Sequence, residues 1–436
     1  MDMKVGNLER HWLPFTNNRE FKREPRLFVR ASGMHYFSPD GRRILDGSSG
    51  LFTTPAGHCR PEIAAAVARQ LETLDFTSSF QRSHPGAFAL ADGIAALTPQ
   101  GLDHVFFCNS GSEAVDTAMK IALAYHLARG EGQRDHFVSR ERAYHGVNIG
   151  GTALGGMMRN REAFGALLPG ILHLRHTLLP ENRLSRGLGA QGAELADDLT
   201  RFVNLVGEKR IAAVFVEPIA GSTGVIVPPR GYLERLREIC SRHGILLVFD
   251  EVICGFGRTG EPFAALSFGV TPDVITMAKA LTNGAQPMGA VAVRTDIYRT
   301  VVDAAPAGMP EFFHGYTYSA HPAACAAGLA TLEIYRSEQL FAKGRDLSGY
   351  FLDKMFALGD LPAVADVRGF GLLAGVEVKP GKAAGARGNE LQAKLYDRGL
   401  HVKTTGDVAI VAPAFIATRG DIDAMADMLR DAIAEF

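Results

Sequence analysis

Neither sign of charge is in excess in this chain. Its 46 Lys and Arg face 47 Asp and Glu, for a net charge of −1 and a pI near 6.9. That excludes the basic surplus of a nucleic-acid binder and the acidic tract of a solvated arm. No apolar window is long enough to cross a bilayer, and residues 1–26 hold no apolar core of the kind that marks a secretory signal. Neither membrane insertion nor export is expected. Cysteine is scarce. The five (Cys59, Cys108, Cys240, Cys254 and Cys325) are odd in number, scattered and never in a CxxC, the pattern of reduced thiols in a cytoplasmic protein. Internal repeats and low-complexity tracts are absent.

What is present is ordinary globular material, 47% hydrophobic and 21% charged over 436 residues, enough for a large core. Length alone suggests roughly two to three domains. The middle of the chain alternates strand and helix. IAAVFVE (211–217), ILLVFDE (245–251) and DVITMAK (273–279) are apolar throughout and end in charged residues. Such runs predict strands buried on both faces, as in a parallel sheet. GYLERLREICSRHG (231–244) carries Leu233, Leu236 and Ile239 at helical spacing and stops on Gly244. HVFFCN (104–109) reads as a strand running into a helix over 110–128. The order gives the α/β class. The last hundred or so residues change character and read as a smaller α+β domain. The expected division is an N-terminal segment at 1–60 that packs with the small domain, a large domain at 61–325 and the small domain at 326–436.

Four polar features sit where strands end: Ser110 to Ser112, Glu217, Asp250 and Lys279. In open α/β sheets, ligands bind outside the carboxyl ends of the strands. Lysine is rarely buried unless it is paired or used, and Lys279 closes a core strand. Asp250 follows five apolar residues, and a buried carboxylate needs a partner. If Val252 continues in strand geometry, it shares a face with Asp250, so the two offer one ligand a charge and a flat apolar contact. A cationic aromatic ring satisfies both. Ser110-Gly111-Ser112 at a helix start offers N–H groups to a phosphate, although either serine also fits as a plain cap. Phosphate anchor, acid, apolar ring contact and lysine together fit pyridoxal phosphate, whose aldehyde condenses with a lysine amine. Tyr144, in AYHG, is a candidate for the other ring face, or for simple packing.

These residues resemble the class III, fold-type I aminotransferases. The resemblance runs through NSGSEAVD (109–116), AYHG (143–146), VEPIAGSTGVIVPP (216–229), FDEVICGFGRTG (249–260), TMAKALTNG (276–284) and HGYTYSAHP (314–322). Within that family, HWLPFTNNREFK (11–22), SGLFTTPAGH (49–58), RAYHGVN (142–148) and AGSTGV (220–225) resemble the omega-amino acid–pyruvate, or beta-alanine–pyruvate, enzymes. The resemblance implies a large mainly parallel-sheet domain with a smaller α+β domain. It implies Lys279 as Schiff-base lysine and proton shuttle, and Asp250 as partner of the pyridinium nitrogen. Val252 and Tyr144 would sandwich the ring. His145 would also bind the cofactor, Ser110, Gly111 and Ser112 would hold its phosphate, and Glu217 would lie near its hydroxyl. Thr317 would reach the phosphate of a neighbouring subunit, which implies a homodimer or tetramer with sites at the dimer interface. Arg419 resembles a mobile arginine that binds substrate carboxylates. Thr418 and Asp421 have capping-box spacing, which puts this cation in a helix first turn, where the dipole disfavours it; a solvated surface arginine is the plain alternative. Where these relatives commonly carry tryptophan, this chain has Phe52, so a different pocket wall is expected. Phe15 and Phe80 are further candidate pocket aromatics, with core packing as the alternative.

The implied reaction moves an amino group from an omega-amino acid such as beta-alanine, or from a primary amine, to pyruvate. Decarboxylation or an aminomutase reaction on the same cofactor is the alternative chemistry. GFGRTG (255–260) fits a dinucleotide fingerprint, but acids separate it from the apolar run and no helix is expected at Gly260. The RGD at 419–421 is read as chance. His314 and His321 lack a third ligand at metal spacing, so no metal is expected.

Overall fold

The computed structural model describes residues 6–165 and 167–436; the first five residues of the 1–60 segment lie outside the described residues. Three short strands, β1 (Arg30–Ser32), β2 (His35–Phe37) and β3 (Arg43–Asp46), form an antiparallel meander near the N-terminus. Seven strands follow: β4 (His104–Cys108), β5 (His136–Arg140), β6 (Ile171–Leu174), β7 (Ile211–Val216), β8 (Leu246–Asp250), β9 (Val274–Met277) and β10 (Gly289–Val293). They lie side by side in the order β4-β10-β9-β8-β7-β5-β6. Only β10 runs against its neighbours. The carboxyl ends of the other six therefore share one edge.

The expected pattern of burial holds. Every residue of β7, β8, β9 and β10 is buried, as strands covered on both faces require. Alternate side chains feed two cores. Val214, Leu247 and Phe249 pack with Leu233, Leu236 and Ile239 of the helix Tyr232–His243. Phe215 and Val248 face the opposite way, onto Ala114, Val115 and Ala118 of the helix Gly111–Ala128. The sequence reading placed both helices within a residue or two. Gly244 ends the first in the left-handed region, at φ 62°, where glycine carries no steric penalty.

The C-terminal part builds a second, all-antiparallel sheet. Its strands are β11 (Val364–Phe370) and β12 (Leu373–Val378); then, after the two-residue β13 (Leu400–His401), β14 (Lys403–Thr405) and β15 (Val408–Val411). β13 leaves this sheet and pairs in parallel with β3, Leu400 opposite Leu45. The two ends of the chain are thus joined through one sheet. The terminal helix Arg419–Ala434 packs on the helices Leu340–Phe356 and Ala386–Asp397. Among the described residues no helix is long and apolar enough to cross a membrane.

Leu247 is fully buried in the central strand of the large sheet. Its truncation, Leu247→Ala, removes buried methyl groups and leaves a cavity, and should lower unfolding free energy by about 3 kcal/mol. Urea unfolding of the variant beside the wild type checks this.

Candidate active site

Five strand ends meet at one cavity of ≈ 350 Å³. The turn after β4 brings Ser110, Gly111 and Ser112; the loop after β5 brings Tyr144 and His145; β7 leads to Glu217, β8 to Asp250 and β9 to Lys279. Val252 lines the same cavity. Nine of the residues singled out in the sequence are therefore brought together.

Asp250 is the buried charge of the site, 4% exposed at the last position of β8. Both its oxygens are used. One accepts from the Val252 N–H and the Thr276 hydroxyl, each at 3.2 Å. The other meets His145 Nδ1 at 2.8 Å. His145 Nε2 in turn lies 3.0 Å from Ser139 Oγ. A carboxylate fixed by three partners stays where it is placed. One expectation needs correcting here. Val252 is not in strand geometry, because β8 stops at Asp250 and the chain turns. The Asp250 carboxylate holds that turn by accepting the Val252 N–H, so the apolar side chain reaches the cavity by an Asx turn rather than by the pleat.

Lys279 lies two residues past the end of β9, where it opens a short 3-10 turn, and has φ 47°. A lysine in the left-handed region is strained, and such strain gathers at functional positions. Burial pushes its pKa down, while Asp250 and Glu217 pull it back up. Glu217 accepts the Tyr144 N–H at 2.9 Å and the Gly221 N–H at 3.2 Å. Burial pushes its carboxyl up to about 7, with His145 opposing and Asp250 adding. Behind it Glu251, not foreseen, accepts the N–H groups of Ala264 and Ala265, and burial holds it up at about 8.

Ser110 caps its helix by accepting the Glu113 N–H at 3.1 Å, the plain role left open for it. Ser112 Oγ accepts the Val147 N–H at 3.0 Å, which leaves its hydroxyl proton to donate. The N–H groups of Gly111 and Ser112, in the first helical turn, have no intrahelical partner. A Cβ at Gly111 would stand 2.9 Å from Val252 Cγ1, and one at Gly146 2.5 Å from Ser112 Oγ. The cradle is therefore built for close backbone approach. These donors fit a phosphate, the Val252 and Tyr144 side chains fit the faces of a flat ring, Asp250 fits a ring nitrogen, and Lys279 fits an aldehyde. Pyridoxal phosphate has all four features.

Other residues lie elsewhere. Phe52 is 2% exposed and packs with Ile219, Val225 and Ile253, beside the cavity and not on its lining. Phe15 is exposed. Phe80 is half exposed over Gly315, next to the exposed Thr317. Arg419 is exposed, its guanidinium 4.8 Å from the Tyr350 ring centre. The expected capping box is present, with Thr418 and Asp421 bonded reciprocally, which gives the aspartate of RGD a structural use. His321 caps the helix Pro322–Ser337, and His314 bonds Thr117 at 2.8 Å. GFGRTG forms turns with no helix at Gly260. Thr53, Asn109, Gln286 and Thr276 were missed. Of these only Thr276 carried a signal, as a polar residue inside an apolar run, in register beside Asp250.

Fold and site together define a fold-type I pyridoxal-phosphate enzyme. The family described as aminotransferase class-III matches residues 17–433. The chain is 52% identical over its whole length to an omega-aminotransferase of Caulobacter vibrioides, covering 99% of that protein. It is 47% identical to the omega-amino acid–pyruvate aminotransferase of Pseudomonas putida, over 98% of this chain and 96% of that one. An (S)-enantioselective omega-transaminase of Thermomicrobium roseum superposes with a TM-score of 0.92 at 35% identity, over 98% and 97% of the two chains. An omega transaminase of Pseudomonas jessenii, solved in complex with PMP, does so with a TM-score of 0.92 at 30% identity, over 98% and 96%. The chain belongs to the class III aminotransferases and is a pyridoxal-phosphate-dependent transaminase.

The raised pKa of Glu217 has a measurable sign. Its folded value, about 7, lies above its ordinary 4.5, so its contribution to stability is full below pH 4.5 and is lost as pH rises through 7. In cofactor-free protein, the stability of wild type relative to Glu217→Gln should fall over that window. Chemical unfolding of both proteins at pH 5, 6, 7 and 8 reads this directly.

Proposed function

We propose that this transaminase moves the amino group of an omega-amino acid, beta-alanine or a related primary amine, to pyruvate, releasing an aldehyde or ketone and L-alanine. The observation that carries the reading is Lys279: a strained, cavity-facing lysine whose ammonium is weakened by burial. The names of the relatives support the choice of substrates.

When bound, the cofactor supplies an electron sink that stabilises negative charge on the substrate carbon and carries the amino group between substrates. The rest falls to the protein. Asp250, oriented by His145, holds a positive charge at the ring nitrogen by ion pairing. Tyr144 and Val252 would sandwich the ring and fix its tilt. Ser110, Gly111 and Ser112 would anchor the phosphate and so turn the reacting end toward Lys279. Lys279 Nζ, neutral more readily than an exposed amine, takes the proton from the carbon that bears the substrate nitrogen and hands it on. Glu217 would lie near the cofactor hydroxyl.

The amine donor has no carboxylate next to its amino group, whereas pyruvate has one beside its keto group. In this reading Arg419 moves to bind the pyruvate carboxylate and swings away for the amine, and its exposed position on a helix first turn leaves it free to move. Phe15, Phe52 and Phe80 shape the substrate side, Phe52 from behind Ile253. The working unit is a homodimer or tetramer. Exposed Phe80, Phe88, Phe313 and Tyr318 supply the apolar surface for a dimer contact, and Thr317 reaches across it to the phosphate cradle of the neighbouring subunit. The division into a 1–60 segment, a 61–325 large domain and a 326–436 small domain is part of the same reading. So is a cytoplasmic location, which the five free cysteines suit.

The purified protein loaded with pyridoxal phosphate should show a visible absorption band that bleaches on adding beta-alanine and returns on adding pyruvate. A band indifferent to beta-alanine would overturn the donor assignment. Lys279→Ala should lower turnover by roughly a hundred- to ten-thousandfold while leaving the fold intact by circular dichroism.

A further inference from the structure

Arg258, the arginine of GFGRTG, is 2% exposed. Among the described residues no carboxylate is bonded to its guanidinium. It donates instead to three acceptors on three distant segments: Leu372 O at 3.1 Å, Pro413 O at 2.6 Å and Ser49 Oγ at 3.2 Å. Phe415 stacks 5.0 Å from it. Its own carbonyl accepts the Leu372 N–H at 3.0 Å, and a Cβ on Gly371 would stand 2.4 Å from that carbonyl oxygen. Burying an unpaired cation is costly, and burial lowers its pKa only to about 10, so it remains charged at neutral pH. A merely structural cross-link between sheets needs no charge.

The segment it reaches explains the arrangement. Ser49, Gly50 and Phe52 all have positive φ, at 47°, 69° and 64°. Three such residues in four cannot hold themselves. Asp46 takes the N–H groups of Ser48 and Gly50 and is itself paired with His58 at 2.7 Å. Ser49 Oγ donates to Ala412 O at 2.6 Å and accepts from Arg258. The next residue, Thr53, lines the cavity, and its N–H closes back onto Ser49 O at 2.8 Å. Arg258 lies six residues beyond Val252, on the turn that begins at the cavity wall. The guanidinium therefore ties the turn that begins at the cavity wall to the link between β11 and β12, to the chain just after β15 and to the strained loop.

We propose that Arg258 is a positioning residue: it holds the loop Ser48–Thr54 against the cavity through Ser49, and so sets how tightly the amine substrate is bound. The inference takes its substrate readout from the donor assignment above, but it stands on the loop geometry.

The test uses the cofactor-loaded enzyme with Ser49→Ala, Arg258→Lys and Arg258→Met. The visible cofactor band should be kept in Ser49→Ala and Arg258→Lys. Amide hydrogen exchange over residues 49–54 should rise about tenfold or more, with β7, β8 and β9 unchanged. The KM for beta-alanine should rise by about the same factor, with kcat within about twofold of wild type, and Arg258→Lys should be milder than Arg258→Met. Loop exchange at the wild-type level in Ser49→Ala and Arg258→Lys would overturn the proposal. So would exchange that rises equally across both sheets, or a fall in kcat with KM unchanged. If the Arg258 variants do not fold, Ser49→Ala alone decides. If the wild type does not use beta-alanine, the donor assignment fails, and loop exchange decides this proposal by itself.

Discussion

Burying the charge of Asp250 is the constraint on which the rest of this site depends. A carboxylate at the end of the central strand of a sheet covered on both faces cannot be left unpaired. Its partners must come from elsewhere, and they do: Thr276 from the neighbouring strand, His145 from the loop after β5, and the chain itself at Val252. Each partner then fixes something further. His145 fixes the loop that carries Tyr144, and the turn at Val252 sets the apolar wall opposite. Glu217 sees the field of Asp250 and responds with a raised pKa. Lys279 sees both acids, and they offset part of the lowering that burial imposes on its pKa.

Much of this was legible in the sequence for one reason. Strands buried on both faces are apolar throughout, so a charged residue at their end stands out. Glu217, Asp250 and Lys279 were found that way, as was the helix from 111 with its small-residue start. What supports them was less visible. Ser139 is an unremarkable letter whose importance comes from the histidine it meets in the folded sheet, and Thr276, a lone polar residue in an apolar run, finds its partner only once β8 and β9 are paired. Val252 was placed in the right cavity for a reason the structure replaces: spacing suggested a strand, and a side-chain hydrogen bond made a turn instead. Pocket aromatics were harder still. Phe52 sits in a motif at the cavity edge, yet its side chain packs into the core, and no periodicity distinguishes the two outcomes.

GFGRTG shows the limit from the other side. As a string it matches a phosphate-binding fingerprint. Here its glycines serve turns, with Gly257 and Gly260 at φ 102° and 96°, and its arginine serves three carbonyl and hydroxyl acceptors. Only the neighbourhood decides between these uses, and the neighbourhood is assembled from residues 49, 372 and 413.

The reversed strand β10 bears on how the protein is made. In the large sheet β4 has β10 as its one neighbour, with Cys108 opposite Gly289. The phosphate cradle rides on the end of β4, yet no strand pairs with β4 until residues 289–293 exist. A ribosome must therefore complete about two-thirds of the chain before the cradle can face Asp250 and Lys279, and pairing over such a separation is slow. Cofactor capture is a late event in the life of the nascent chain, and free cofactor gains nothing by being present earlier.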